Sequence, residues 1–176
     1  MKKNRLKTVL AIVLMASVNF PLFAQKIEGS LDVLKDVQRV GLEVDFSSAV
    51  ILGMSEQEYA AYEEDWQTDK PAIVSKFSEG CNDKLDGLFY VGSYKAEVRD
   101  ALIRVTVLTV SQKGDMDCDV RILDSDGNTA ATIKGIRAKG GVFGTTLNLI
   151  GDGATHTGEA LGKFLVSNFR PERKKK

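Results

Sequence analysis

Three extended stretches follow one another between Ala101 and Ala138, and they constrain the rest of the chain more than any other feature. In Ala101–Val110 (ALIRVTVLTV), Ile103, Val105 and Val107 share one face, while Leu102, Leu108 and Val110 lie opposite, so the pattern is that of a central strand with both faces covered. Residues 117–123 and Thr129–Ala138 flank Asp124, Ser125, Asp126, Gly127 and Asn128, where the Asp-Gly pair marks a hairpin turn. A sheet of this kind has to bury at least one face against another layer.

Helices supply that layer. Ser55 and Glu58 fit a capping box, with Met54 and Tyr59 at the positions of a hydrophobic staple, so a helix starts there and carries Tyr59, Tyr62 and Trp66 as an aromatic stripe. Pro71 suits the first turn of a second helix running to about Lys84. Residues 154–169 form the last, with Leu161, Phe164 and Leu165 as its apolar stripe and Asp152 as its cap. Before these, Val40, Leu42, Val44 and Phe46 alternate with Gly41, Glu43 and Asp45 in a half-buried strand bordered by residues 49–52. Residues 30–37 read as one or two helical turns, and residues 88–91 as a short strand. The expected class is α+β: one mainly antiparallel mixed sheet packed by two or three helices, in a single domain over residues 25–169.

The chain begins with Lys2, Lys3, Arg5 and Lys7, then an apolar run from Thr8 to Val18, Pro21 as a breaker and Ala24 before the expected cut. This is the pattern of a cleaved signal peptide over residues 1–24, which sends the rest to the periplasm or outside the cell with no transmembrane segment. No cysteine stands near the cut, so there is no attachment point for a lipoprotein's acyl anchor. The formal charge of zero over 176 residues then divides into unlike parts. Without the leader, 20 bases face 24 acids, a charge of −4; without residues 170–176 as well, 15 bases face 23 acids. An acidic body is therefore followed by a basic tail suited to peripheral contact with anionic lipid. Nucleic acid is excluded as a partner, since the body is acidic and lacks basic stretches interleaved with aromatics.

Little in the sequence points to catalysis. His156 is the only histidine, and neither G-x-S-x-G nor HExxH is present. Residues 139–145 (KGGVFGT) lack both the GK[ST] ending of a P-loop and the GxGxxG of a dinucleotide turn, so no cofactor is expected. The densest acidic feature is Asp115, Asp117 and Asp119 followed by Asp124 and Asp126, whose oxygens would suit a weak Ca²⁺ site. A solvated strand face leading into a turn accounts for them better, because the glutamate of an EF-hand loop is missing. Cys81 shares a helical face with Val74, Phe77 and Leu85, and Cys118 alternates with Val120 and Ile122. Both thiols point to a core, so a Cys81 to Cys118 disulfide and two separate buried thiols both fit the pattern.

Half of the 16 glycines lie between Gly135 and Gly162, which reads as a flexible connector carrying Val142 and Phe143. Either these two residues or the Tyr59, Tyr62 and Trp66 stripe would serve as a binding surface, against the plainer readings of connector and core.

Residues 120–129 (VRILDSDGNT) and 152–165 (DGATHTGEALGKFL), with the glycine-rich connector between them, resemble Gram-negative envelope proteins of the lipoprotein type with a fold like the amino-terminal domain of TolB. The resemblance covers about residues 88–168. It implies an α/β sheet sandwich and a role in envelope assembly or protein binding, with no catalytic residues to carry over. The expectation is thus a non-catalytic envelope component that binds a protein partner, with a small-ligand carrier or a weak Ca²⁺-dependent binder as alternatives.

Overall fold

The structure, a computed structural model, describes residues 25–93 and 101–169. The leader and the basic tail lie outside the described residues. Eight strands form one sheet: β1 (Lys26–Gly29), β2 (Arg39–Asp45), β3 (Val50–Ile51), β4 (Met54–Ser55), β5 (Tyr90–Gly92), β6 (Ala101–Val110), β7 (Met116–Asp124) and β8 (Thr129–Ala138). The main order is β1-β8-β7-β6-β2-β5, with β3 beside β6 and β4 beside β3. Strand β2 runs parallel to β5 and β6, β3 runs parallel to β6, and the remaining pairings are antiparallel. Helices α1 (Glu56–Tyr62), α2 (Trp66–Lys84) and α3 (Thr146–Phe169), with a 3-10 turn at Asp32–Leu34, complete a single α+β domain of the class expected.

The alternation read from the sequence decides which face is covered. Val40, Leu42, Ile103, Val105, Val107, Cys118, Val120, Ile122, Ile133 and Ile136 are buried on the face that meets α2 and α3. On the other face the register aligns Glu43 with Arg104, Arg104 with Arg121 and Arg121 with Thr132. Across the covered face α2 and α3 pack closely, because glycines replace side chains at their crossing. A methyl group on Gly80 would overlap the Thr155 carbonyl, on Gly158 the Phe77 carbonyl, and on Gly162 the Cys81 carbonyl. Each helical glycine costs up to about 1 kcal/mol of helix propensity. Close backbone packing over two long helices offsets that cost.

Three elements depart from the sequence reading. Helix α3 starts at Thr146, eight residues before the expected start at residue 154, and Asp152 sits inside it rather than capping it. The cap is Thr145, whose Oγ1 accepts from the Asn148 N–H at 3.3 Å. Helix α2 starts at Trp66, so Pro71 is its sixth residue. The helical bond that the Pro71 nitrogen lacks would go to the Gln67 carbonyl, and Gln67 is exposed to water, which removes most of the penalty. Strand β1 has no counterpart in the sequence pattern, and the strand expected at residues 88–91 is Tyr90–Gly92. The capping box is as read: Ser55 Oγ accepts from the Glu58 N–H at 3.3 Å, and Glu58 Oε2 accepts from the Ser55 N–H at 2.8 Å.

Candidate interaction surface

The connector between β8 and α3 is the part of the molecule built most unlike its surroundings. Its base is locked. The Gly140 N–H donates to Asp115 Oδ1 at 2.9 Å, and His156 Nδ1 donates to the Lys139 carbonyl at 2.9 Å, which fixes the proton on Nδ1. Gly114, at φ +78° in the β6–β7 turn, lies against the Leu149 carbonyl; Gly140 lies against the Lys113 carbonyl, and Gly153 of α3 against the Gly114 carbonyl. A Cβ at any of the three would overlap backbone. The hairpin turn, the connector and the first turns of α3 therefore interlock through glycines.

The tip of the same connector is bare. Val142 is 83% exposed and Phe143 88%, the two most exposed large hydrophobic residues among those described. Thr145 restarts regular structure two residues later by capping α3. The glycines at the base are thus there for contact, whereas their density in sequence reads as mobility. Nothing in the linear pattern distinguishes the two uses, because the partners of Gly140 and Gly153 lie on the β6–β7 turn. Asp115, read from the sequence only as a weak metal candidate, is an anchor of this loop.

The aromatic stripe is divided. Tyr59 and Trp66 are fully buried at 0% exposure, stacked edge to face with each other at 5.1 Å, while Phe46 meets Trp66 at 5.4 Å. Among the stripe residues only Tyr62, at 71% exposure on the last turn of α1, is open to a partner. The correction has a simple cause: α1 ends at Tyr62 and α2 begins at Trp66, so the three do not share one helical face. The Tyr59 hydroxyl is buried with no hydrogen-bond partner among the described residues, and burial, with Glu63 adding to it, raises its pKa to about 12.

The structure has Cys81 and Cys118 as two free, buried thiols, the second of the two arrangements that the sequence pattern fits. Cys81 lies in α2 and Cys118 in β7, each at 0% exposure. Burial raises the Cys81 pKa to about 12; burial, with Asp117 and Asp119 adding to it, raises that of Cys118 further. Neither thiol is poised for nucleophilic chemistry.

The five aspartates do not converge. Asp115 holds the connector, and Asp119 Oδ1 accepts from the Gly135 N–H at 3.2 Å. Asp117 Oδ2 lies 3.6 Å from the Arg137 guanidinium, leaving Oδ1 buried without a hydrogen-bond partner among the described residues. Asp124, at the far end of β7, folds its own turn by accepting from the Asp126 N–H at 3.0 Å and the Asn128 N–H at 2.8 Å. These backbone donors, Asn128 first, hold its pKa below the ordinary carboxylate value. Among the described residues, no group of three or more His, Cys, Asp or Glu side chains is placed to hold a metal ion.

Grooves occur on the uncovered face and at the sheet edge. One of about 450 Å³ is lined by Leu108, Asp117, Asp119, Lys134 and Arg137, and another of about 330 Å³ lies beside β1 and the end of α3. Both are open depressions, unlike the cavity between helices and sheet that a small-ligand carrier would need. No described helix is long and apolar enough to cross a membrane.

No protein-family model matches the chain, and no curated protein is significantly similar to it. Among solved structures it is similar to PelC from Paraburkholderia phytofirmans, a dodecamer, at 11% identity and a TM-score of 0.45, covering 78% of this chain and 97% of that one. It is also similar to a DUF330 protein from Xanthomonas campestris, at 9% identity and a TM-score of 0.41, covering 75% of this chain and 85% of that one. TM-scores this low carry no argument about activity or assembly.

Proposed function

We propose that this chain is a non-catalytic component of the cell envelope that binds a protein partner through the tip of the connector between β8 and α3. The observation that carries the reading is the pairing of Val142 and Phe143, both more than four-fifths exposed, with a base fixed by Asp115, His156 and three glycines. An apolar tip on a rigid base loses less entropy on docking than the same residues on a free loop. A buried Phe is also the kind of anchor that dominates interface energetics. The export of the chain, cleavage after Ala24 and the TolB-like relationship belong to this reading and rest on sequence pattern. The basic residues after Phe169 add a second, peripheral contact with anionic lipid. It starts about 36 Å of helix away from the connector, since α3 spans 24 residues at 1.5 Å each.

The test is recovery of the partner from envelope extract by the mature chain, residues 25–176, compared with F143A and with V142S/F143S. Loss of one specific band with an unchanged melting temperature is the expected result. Equal recovery by V142S/F143S would sink the reading. Mass spectrometry of the exported protein checks the cleavage site, and an intact leader would move the protein out of the soluble envelope.

A further inference from the structure

Strand β1 closes one end of the sheet, bonded to β8 on one side and to no described strand on the other. The Ser30 N–H donates to the Ala130 carbonyl at 3.0 Å, and the register pairs Glu28 with Thr132 and Lys26 with Lys134. Backbone groups alternate in direction along a strand, so those of Lys26 and Glu28 turn toward β8 like those of Ser30, and those of Ile27 turn to the free edge. On the helix side of that edge lies the groove of about 330 Å³ lined by Ile27, Leu31, Phe169 and their neighbours. On the open side Lys26 Nζ and Glu28 Oε1 stand 2.8 Å apart, with side chains 71% and 57% exposed.

Free edges are normally guarded by short length, charged side chains, a proline, a bulge or an inward charge, and β1 has the first of these, with four residues, together with one exposed charge of each sign. Residues Lys26–Gly29 contain no proline, and their one lysine is already neutralised by Glu28. We propose that a second copy of this chain pairs antiparallel with this edge, about a two-fold axis passing through Ile27. The axis position follows from two independent constraints. Parity requires a residue whose backbone groups point outward, which selects Ile27 over Lys26 and Glu28. Charge makes the same selection: an axis at Lys26 would set two lysines opposite each other and one at Glu28 two glutamates, whereas the axis at Ile27 sets Lys26 opposite Glu28 twice. The Ile27 pair then exchanges two backbone hydrogen bonds, the two sheets become continuous with their helices on the same side, and each Ile27 side chain extends toward the mixed polar and apolar groove of the other copy, beside its Leu31 and Phe169. The edge is short, so the dimer forms and dissociates with concentration.

Sedimentation equilibrium of the mature chain from ~1 µM to ~1 mM is the test, a span of about three decades in dissociation constant. The expected result is a monomer–dimer equilibrium that K26E or E28K each weakens about tenfold, by placing like charges opposite each other, and that the double variant K26E/E28K restores. I27C should give a covalent dimer with a short bismaleimide, since Cys81 and Cys118 are fully buried and do not compete. F143A should leave the equilibrium unchanged, which keeps this proposal separate from the loop reading. A monomer at the highest concentration overturns the proposal and leaves the edge to a foreign strand; a dimer indifferent to K26E, or not restored in the double variant, overturns the axis at Ile27 and with it the proposal.

Discussion

Val120 and Arg121 are consecutive residues of β7, yet Val120 is at 0% exposure under the helices and Arg121 stands in water opposite Arg104. The same division runs along most of the long strands, with Leu102 and Leu123, paired across β6 and β7 and buried, as an apolar exception on the open face. On the covered face the constraint is volume: α2 and α3 approach so closely that their crossing requires Gly80, Gly158 and Gly162. On the open face the constraint is charge. Arg104 is held by Glu43 at 2.9 Å, and Arg137 by Asp117 at 3.6 Å. A substitution should therefore cost much where it changes volume and little where it changes charge, and the connector, locked at its base and bare at its tip, repeats that contrast within a few residues.

The largest expected effect tests the volume side. G153A adds one methyl group where the Gly114 carbonyl already stands, with backbone on both sides of the contact, and should cost about 3 kcal/mol or more of unfolding free energy in urea. G127A is the matched control, since nothing lies within 4 Å of a Cβ there and the strain comes only from its φ of +85°. About 1 kcal/mol is expected for it. Equal costs for the two would show that the glycines of the base serve conformation and that the interlock is unimportant.

This distinction also explains what could and could not be read in the sequence. Strands β6 and β8 match their expected limits, Ala101–Val110 and Thr129–Ala138, because period-two alternation and the Asp-Gly turn are local signals. The capping box at Ser55 and Glu58 is local too. The start of α3 is not, because Gly151 and Gly153 read as breakers until their contacts on Lys76 and Gly114 are known. Pro71 misled for a similar reason: whether a helical proline is tolerated depends on whether the carbonyl one turn earlier reaches water. Val142 and Phe143 were legible as apolar residues in a polar connector, but the anchoring by Asp115 and His156 joins positions far apart in the chain.

D115A tests the base of the connector without changing backbone volume. Removing the carboxylate takes the acceptor from the Gly140 N–H at a solvent-exposed site where water can replace it, at a cost of about 0.5–1.5 kcal/mol. Hydrogen exchange at residues 139–145 should rise with it. D126A, on an exposed side chain, should stay within about 0.5 kcal/mol of the parent protein. If D115A behaves like D126A, the loop is not held as described and its rigidity ceases to support docking.

Tyr59 carries the comparison into pH. Its folded pKa of about 12 exceeds the ordinary 10.0, so the folded chain keeps the proton that the unfolded chain releases first. The stability tied to the neutral hydroxyl is complete below pH 10 and is lost as pH rises from 10 to about 12. Cys81 adds loss in the same direction, from its ordinary 9.0 to about 12. Y59F removes the tyrosine's share and also a buried hydroxyl that lacks a partner among the described residues, so it should be neutral to about 1 kcal/mol stabilising at pH 7 and flatten the alkaline limb of a pH titration of melting temperature. An unchanged limb would mean that the hydroxyl reaches solvent.

The smallest effect is expected on the open face, and its sign is informative. Arg121 lies directly opposite Arg104 across β6 and β7, and Glu43, on the far side of Arg104, offsets only one of the two positive charges. R121E converts a like-charged cross-strand pair into an opposite-charged one, so it should stabilise the protein by about 0.2–1 kcal/mol in low salt, with the gain shrinking as salt is added. A stabilising charge reversal on the open face of β7, beside a G153A that the backbone of the β6–β7 turn cannot absorb, would show that volume governs the contacts of α3 and charge the open face. A destabilising R121E would mean that the Arg121 side chain contributes through its aliphatic stem, packed along the strands, and the open face would then be a packing surface as well.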